Sequence, residues 1–234
     1  MIKKSLFLFY LLLLVFPTFS QSITCEITGG YGSFAMGDLK SLSEMQKNSF
    51  SPFPTRLMYN LPPYLVFTAR LMTHRNNLSV GINFKSMATG SRISYKDYSG
   101  EIRLDQMNSA KAFGGSLNLP VWEKNNWKLN IRIDADLVLS QVNFKNQTSI
   151  YNEQQTETLE TRSLGISLEP GAVMSYTIGR FATGLDIGYF LNANGSLHLA
   201  GNSKAYLVDR SGANINADWS GLRGSLFLAY HIKR

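Results

Sequence analysis

The sequence predicts an all-β chain: an eight-stranded, antiparallel, up-and-down transmembrane β-barrel with a short helix in its first long loop. Three observations predict it. Several segments alternate apolar and polar residues with the period of two that gives a strand two unlike faces. Charged residues of four such segments fall on one face, opposite an apolar face that runs unbroken from Trp127 to Leu139. The connections alternate between short and long, which places both chain ends on one side of the sheet.

The chain opens with an export signal. Met1-Ile2-Lys3-Lys4 is basic, Leu6 to Phe16 is an apolar run, and Pro17-Thr18-Phe19-Ser20 supplies a breaker and small residues before a cut. Residues 1–20 are therefore expected to be a cleaved signal peptide, with the barrel in residues 21–234. The apolar run is shorter than the roughly 20 residues a membrane helix needs, and no later segment is longer. Cys25 is the single cysteine, so no disulfide is expected. Thr24 before it is a poor match to a lipoprotein box, which favours a strand-borne thiol over a lipid anchor. Removing Lys3 and Lys4 leaves a net charge of about +5 from the original +7. The basic residues are scattered rather than clustered, which argues against nucleic acid as a partner. A milder attraction to anionic sugars or lipid headgroups remains.

The first strand, about Cys25 to Met36, is glycine-rich and the least regular. Leu65, Phe67, Ala69 and Leu71 then alternate with Val66, Thr68, Arg70 and Met72, and Leu78, Val80, Ile82 and Phe84 with Ser79, Gly81, Asn83 and Lys85. Glu101 to Leu119 alternates cleanly only near its end, and a bulge near Ser109 to Lys111 would repair its phase. Trp127, Leu129, Ile131, Ile133, Ala135, Leu137 and Leu139 oppose Lys128, Asn130, Arg132, Asp134, Asp136, Val138 and Ser140. Leu164 to Ile178 and Phe181 to Leu191 repeat the pattern on either side of a Gly179-Arg180 turn. Leu222 to Ile232 forms the last strand. Short connections fall at His74 to Asn77, Pro120 to Asn126 and Gly179-Arg180. Long ones fall at Gly37 to Pro63, Ala88 to Gly100, Lys145 to Thr156 and His198 to Asp218. Within the first, Gly37 to Gln46 reads as a helix capped by Asp38, with Leu39, Leu42 and Met45 on one stripe.

A soluble sandwich or lipocalin-like barrel also alternates, but hides its apolar face. Here Arg132, Asp134, Asp136, Glu169, Asp186 and Arg223 would form an enclosed charge network, and enclosed charges must pair. Trp122, Trp127, Tyr176 and Phe181 lie beside the short turns, and Tyr230 near the C-terminus, at levels where amphipathic rings favour a membrane interface.

Gly29-Gly30-Tyr31-Gly32-Ser33-Phe34-Ala35-Met36, then Asp38-Leu39-Lys40, together with Thr89 to Gly100, resembles small outer-membrane β-barrel proteins of the Bacteroidota, of the eight-stranded OmpA-transmembrane-domain and OmpX-like kind. The resemblance implies an outer-membrane location. His231-Ile232-Lys233-Arg234 departs from the aromatic end common in such barrels. No peptidoglycan-binding domain is expected after it.

The histidines His74, His198 and His231 are read as lying at opposite barrel ends, without a shared metal site. Ser196, His198 and Asp209 are the local candidates for a nucleophile, base and orienting acid; their polar face argues against action on lipid. No cofactor and no catalytic or metal residues are expected. The expected role is non-enzymatic, structural or in surface interaction: a monomer in contact with outer-membrane lipid and lipopolysaccharide that stabilises the envelope, or presents its long external loops for adhesion or to a partner protein. A narrow pore or small-ligand carrier is the alternative, and a lipid-modifying enzyme the third.

Overall fold

The computed structural model describes residues 22–50, 54–75, 78–98, 100–151 and 153–233. The expected signal peptide, residues 1–20, lies outside them. The elements run β1 (Ser22–Gly32), α1 (Gly37–Ser49), β2 (Arg56–Asn60), β3 (Tyr64–Arg75), β4 (Leu78–Lys96), β5 (Gly100–Lys124), β6 (Trp127–Ile150), β7 (Glu153–Ile178), β8 (Phe181–Asn194), β9 (His198–Leu199), β10 (Asn202–Tyr206) and β11 (Gly221–Lys233). Eight of these strands close a ring in which every neighbour is antiparallel: β1, β3, β4, β5, β6, β7, β8, β11 and back to β1. These are the eight strands that alternation picks out. The β7–β8 ladder skips Glu169 and Pro170, where the proline has no N–H to give.

The faces divide as the sequence predicts. Ile131 is 47% exposed and Leu137 56%, whereas Arg132 is 1% and Asp134 0% exposed. The outward set continues around the ring through Leu168, Leu185, Leu226, Ile27, Phe67, Ile82 and Phe113. On β6 the apolar face runs from Trp127 to Leu139. That is about 40 Å of strand, or about 30 Å of height at the usual barrel tilt, the thickness of a bilayer core. A Trp127–Tyr176 ring pair, centroids 4.8 Å apart, and a Phe181–Tyr230 pair at 5.1 Å stand at the short-turn rim. Exposed Tyr31, Tyr64 and Tyr189 stand at the other rim. These are the two girdles of a membrane-spanning barrel.

Three expectations are corrected. The segments Ala88 to Gly100 and Lys145 to Thr156 are ladders rather than loops: β4–β5 pairing continues to Lys96↔Glu101, and β6–β7 pairing to Ile150↔Glu153. Thr, Ser, Asn, Gln and Glu fill both faces there because neither face meets lipid, so alternation vanishes while hydrogen bonding persists. No bulge occurs at Ser109 to Lys111, where register with β4 and β6 is unbroken. Both residues point outward, just above the apolar belt, and the bulge falls instead at Val121. Helix α1 is not capped by Asp38. Met36 holds the cap position with a left-handed backbone (φ 49°) and no side-chain cap, while the Asp38 carboxylate accepts from the Asn216 N–H at 3.0 Å.

An arginine at mid-belt has no water to meet. Ile133→Arg is expected to lower the unfolding free energy in lipid vesicles by about 2–4 kcal/mol, whereas Gln141→Arg, one row above the belt, should cost less than about 1 kcal/mol. Denaturant titration of the two variants checks both values.

Candidate functional site

The barrel interior is built in tiers. The middle tier is ionic. Alternation on β6 sends Arg132, Asp134 and Asp136 inward in succession, and register sets Asp134 directly opposite Glu169 on β7. On the far side of the ring, Arg70 of β3 pairs with Glu26 of β1. Arg70 reaches Glu26 at 2.5 Å, Asp134 at 3.2 Å and Asp186 at 3.4 Å. Lys85 lies 2.9 Å from Asp134, 2.9 Å from Asp136 and 2.6 Å from Glu169. Arg132 bridges Asp134 at 3.3 Å, Glu169 at 3.1 Å and Asp186. Ser116 of β5 donates to Asp134 at 2.7 Å. Small neighbours leave the space: Gly114 faces Asp136, and Gly171 lies beneath the Arg132 guanidinium.

Of the six residues predicted for the charge network, Arg132, Asp134, Asp136, Glu169 and Asp186 stand together in this tier. Arg223 stands one level higher and pairs with no carboxylate among the described residues. Its guanidinium is held between the rings of Phe34 and Phe190, 5.0 and 4.7 Å from their centroids, and donates to the Trp219 carbonyl at 3.1 Å. Gly32 gives it room, since any side chain there would strike the guanidinium. Gly30 on the same strand instead abuts Gly224 and Ser225 of β11. Glu26, Arg70 and Lys85 complete the tier and were not predicted for it. Arg70 and Lys85 already stood on the polar side of their alternating segments, and that was the available signal. Glu26 lay in a strand whose phase glycine obscured. A cavity of about 10 Å³, the size of one water molecule, lies among Arg70, Lys85, Glu169, Asp186 and Arg223.

Above this tier the mouth is filled by an apolar plug. Trp219, Met36, Leu39, Leu197 and Ala217 are completely or almost completely buried, and pack with Phe34, Leu61 and Ile215 against Val138, Val142 and Phe144 of the wall. The Phe34 and Trp219 rings meet edge-on at 5.1 Å, and the indole N–H donates to Ser140 Oγ at 3.0 Å. Helix α1 is therefore folded into the mouth, where Ser43 contacts Ser91 at 3.0 Å and donates to Gln106 at 3.1 Å. Trp219 escaped sequence reading because it lies in a segment without periodicity.

Two further readings are corrected. Asp209 does not serve His198. Its carboxylate accepts from the Ser211 hydroxyl at 2.7 Å and from the Ala213 N–H at 2.9 Å, and these donors, Ser211 foremost, hold it below the ordinary carboxylate range. The histidines are not all apart. β1 lies between β3 and β11, which brings His74 and His231 together at the short-turn end.

No protein-family model and no curated protein match the chain. Among solved structures it is similar to Ail, the attachment invasion locus protein of Yersinia pestis, at 10% identity and a TM-score of 0.38, covering 91% of this chain and 99% of that one. It is similar to neisserial surface protein A at 12% identity and a TM-score of 0.33, covering 92% and 98%. It is similar to the outer-membrane protease OmpT of Escherichia coli at 8% identity and a TM-score of 0.37, covering 90% and 97%. Likenesses this distant assign no activity to this chain.

Removing one partner of a buried pair strands the other. Arg132→Met is expected to lower stability by about 3–5 kcal/mol. Arg223→Met should cost less, about 2 kcal/mol for the lost ring contacts, because it leaves no carboxylate behind. Denaturant midpoints of the folded variants decide the order.

Proposed function

We propose that this protein is a monomeric, non-enzymatic barrel of an outer membrane that presents a rigid sheet to the exterior for contact with a partner. The observation that carries the reading is the asymmetry of the strands. β4 to β7 continue as one hydrogen-bonded sheet well past the apolar belt; β6 alone runs from Leu139 to Ile150, about 35 Å of strand. β2 extends this sheet beside β4, and β9 and β10 extend it beside β7. Outward Arg92 and Arg103 clamp Asp105 at 2.5 and 2.6 Å across β4–β5. Burial alone would raise the Asp105 carboxyl, but these two arginines hold it below its ordinary value. The two hairpin ends are neighbours, because Gly100 pairs with Ile150, and they expose Tyr98 completely and Tyr151 at 83%. A solvated sheet tipped with aromatic residues is suited to recognition, since tyrosine contributes large contact area at little entropic cost.

An outer membrane fits the architecture, because only a closed barrel or a helix satisfies its backbone in lipid and no helix among the described residues is long and apolar enough to cross. Outward Lys111 and Arg162 stand just above the belt on β5 and β7, where the phosphates of lipopolysaccharide would lie. Kinship with barrels of the Bacteroidota rests on Gly29 to Met36 and Thr89 to Gly100. A second reading, a narrow cation path, is favoured by one observation: Glu26, Asp134, Asp136, Glu169 and Asp186 outnumber Arg70, Lys85, Arg132 and Arg223 inside the barrel.

Two experiments separate these readings. Replacing residues 92–105 and 147–157 by tight turns should leave a heat-modifiable barrel in the membrane but abolish adhesion of expressing cells to the surfaces they otherwise bind. Unchanged adhesion would count against the sheet. In planar bilayers the plugged wild type should show no steady conductance steps. Steps that disappear in Asp134→Asn/Asp136→Asn would favour the pore.

A further inference from the structure

We infer that His74 and His231 form a binding site for one late first-row transition-metal ion at the short-turn mouth of the barrel, with Thr24 between them. The two rings come from strands on either side of β1 and converge on a single atom. Thr24 Oγ1 lies 2.5 Å from His74 Nε2 and 2.7 Å from His231 Nδ1. A hydroxyl has one proton to give, so one ring accepts from it and the other donates to it. If the donating ring moves its proton to its other nitrogen and the hydroxyl turns its own proton away, both imidazoles stay neutral, no proton is lost overall, and two imidazole lone pairs and a hydroxyl oxygen face one point.

The spacing suits an ion. Two imidazoles sharing one metal, each at about 2.0–2.1 Å from nitrogen to metal, hold their ring centres about 5–6.4 Å apart. The His74 and His231 centroids are 6.0 Å apart, with ring planes inclined at 61°. His74 is also oriented from behind: Ser79 Oγ of β4 lies 2.6 Å from its Nδ1. An outer partner of this kind fixes the tautomer and turns the other nitrogen toward the ligand. Both rings are only partly buried, so solvent completes the coordination.

The donor set selects the class of ion. Among the described residues no carboxylate contributes, and no three His, Cys, Asp or Glu side chains cluster for a metal. After His231 itself, Lys128 is the next charge that acts on His74, and it is paired with Glu123 at 2.9 Å. Calcium and magnesium need hard anionic oxygen and are excluded on that ground. Imidazole donation suits copper, nickel and zinc, with Cu²⁺ the tightest.

The test uses the protein folded in detergent micelles, carrying Cys25→Ser so that the free thiol neither reduces nor binds copper. Titration with Cu²⁺ should saturate at one ion per chain, and the electron paramagnetic spectrum should show coupling to two nitrogens. His74→Asn and His231→Asn should each weaken binding tenfold or more, while His198→Asn leaves it unchanged. Folding of each variant is read from heat-modifiable gel mobility. Equal weakening by His198→Asn, or affinity retained in the His74→Asn/His231→Asn double variant, overturns the site. If a variant does not fold, the wild-type spectrum still decides: coupling to one nitrogen or none overturns it.

Discussion

Hydrocarbon offers no partner to a backbone N–H or C=O, and that single constraint organises this molecule. A sheet in lipid must close on itself. Once closed, each strand can send only every second side chain outward, and the rest are confined to the lumen. The outward half is Leu, Ile, Phe and Tyr because it meets lipid. The inward half is free to be ionic because the wall excludes lipid from it. Arg70, Lys85 and Arg132 each face three carboxylates in the lumen, so the charges brace the ring across its diameter. Breaking one partner is costly, although an apolar lumen of the same volume could be as stable.

The larger of two buried apolar clusters is displaced from the usual place of a core, while a small one, Val173, Ala182, Phe227 and Ala229, lies in the lumen on the short-turn side of the ionic tier. The larger lies neither between layers nor around the outside, but in the outer mouth, where the strands leave the membrane and water would otherwise enter. Phe34, Met36, Leu39, Leu197 and Trp219 fill it from loops and α1, against wall residues such as Val142 and Phe144. Arg223 stands at the boundary, with aromatic faces in place of carboxylates. Ionic tier and apolar plug together fill the lumen at two successive levels.

The barrel was legible in the sequence wherever two solvents meet across the wall. Residues 127–140 differ so sharply between odd and even positions that strand, face and membrane follow from the pattern alone. Legibility failed where that contrast is absent. Residues 145–149 are polar on both faces, so a ladder looked like a loop. The lumen charges on β6, β7 and β8 were legible as a set, but their partners Arg70, Lys85 and Glu26 depended on knowing which strands face each other across the ring. The pairing of His74 with His231 needed the closure itself, because residues far apart in the chain become neighbours only when the last strand returns to the first. Trp219 needed the plug, which has no period to read.

The direction in which alternate side chains point can be measured directly. In a Cys25→Ser background reconstituted into lipid, single spin labels placed in turn at residues 131–140 report contact with oxygen dissolved in lipid and with a water-soluble nickel complex. Accessibility to oxygen should oscillate with a period of two and peak at 131, 133, 137 and 139, with the nickel complex excluded from those positions. An oscillation of opposite phase, peaking at 132, 134 and 136, or none at all, would contradict the membrane barrel.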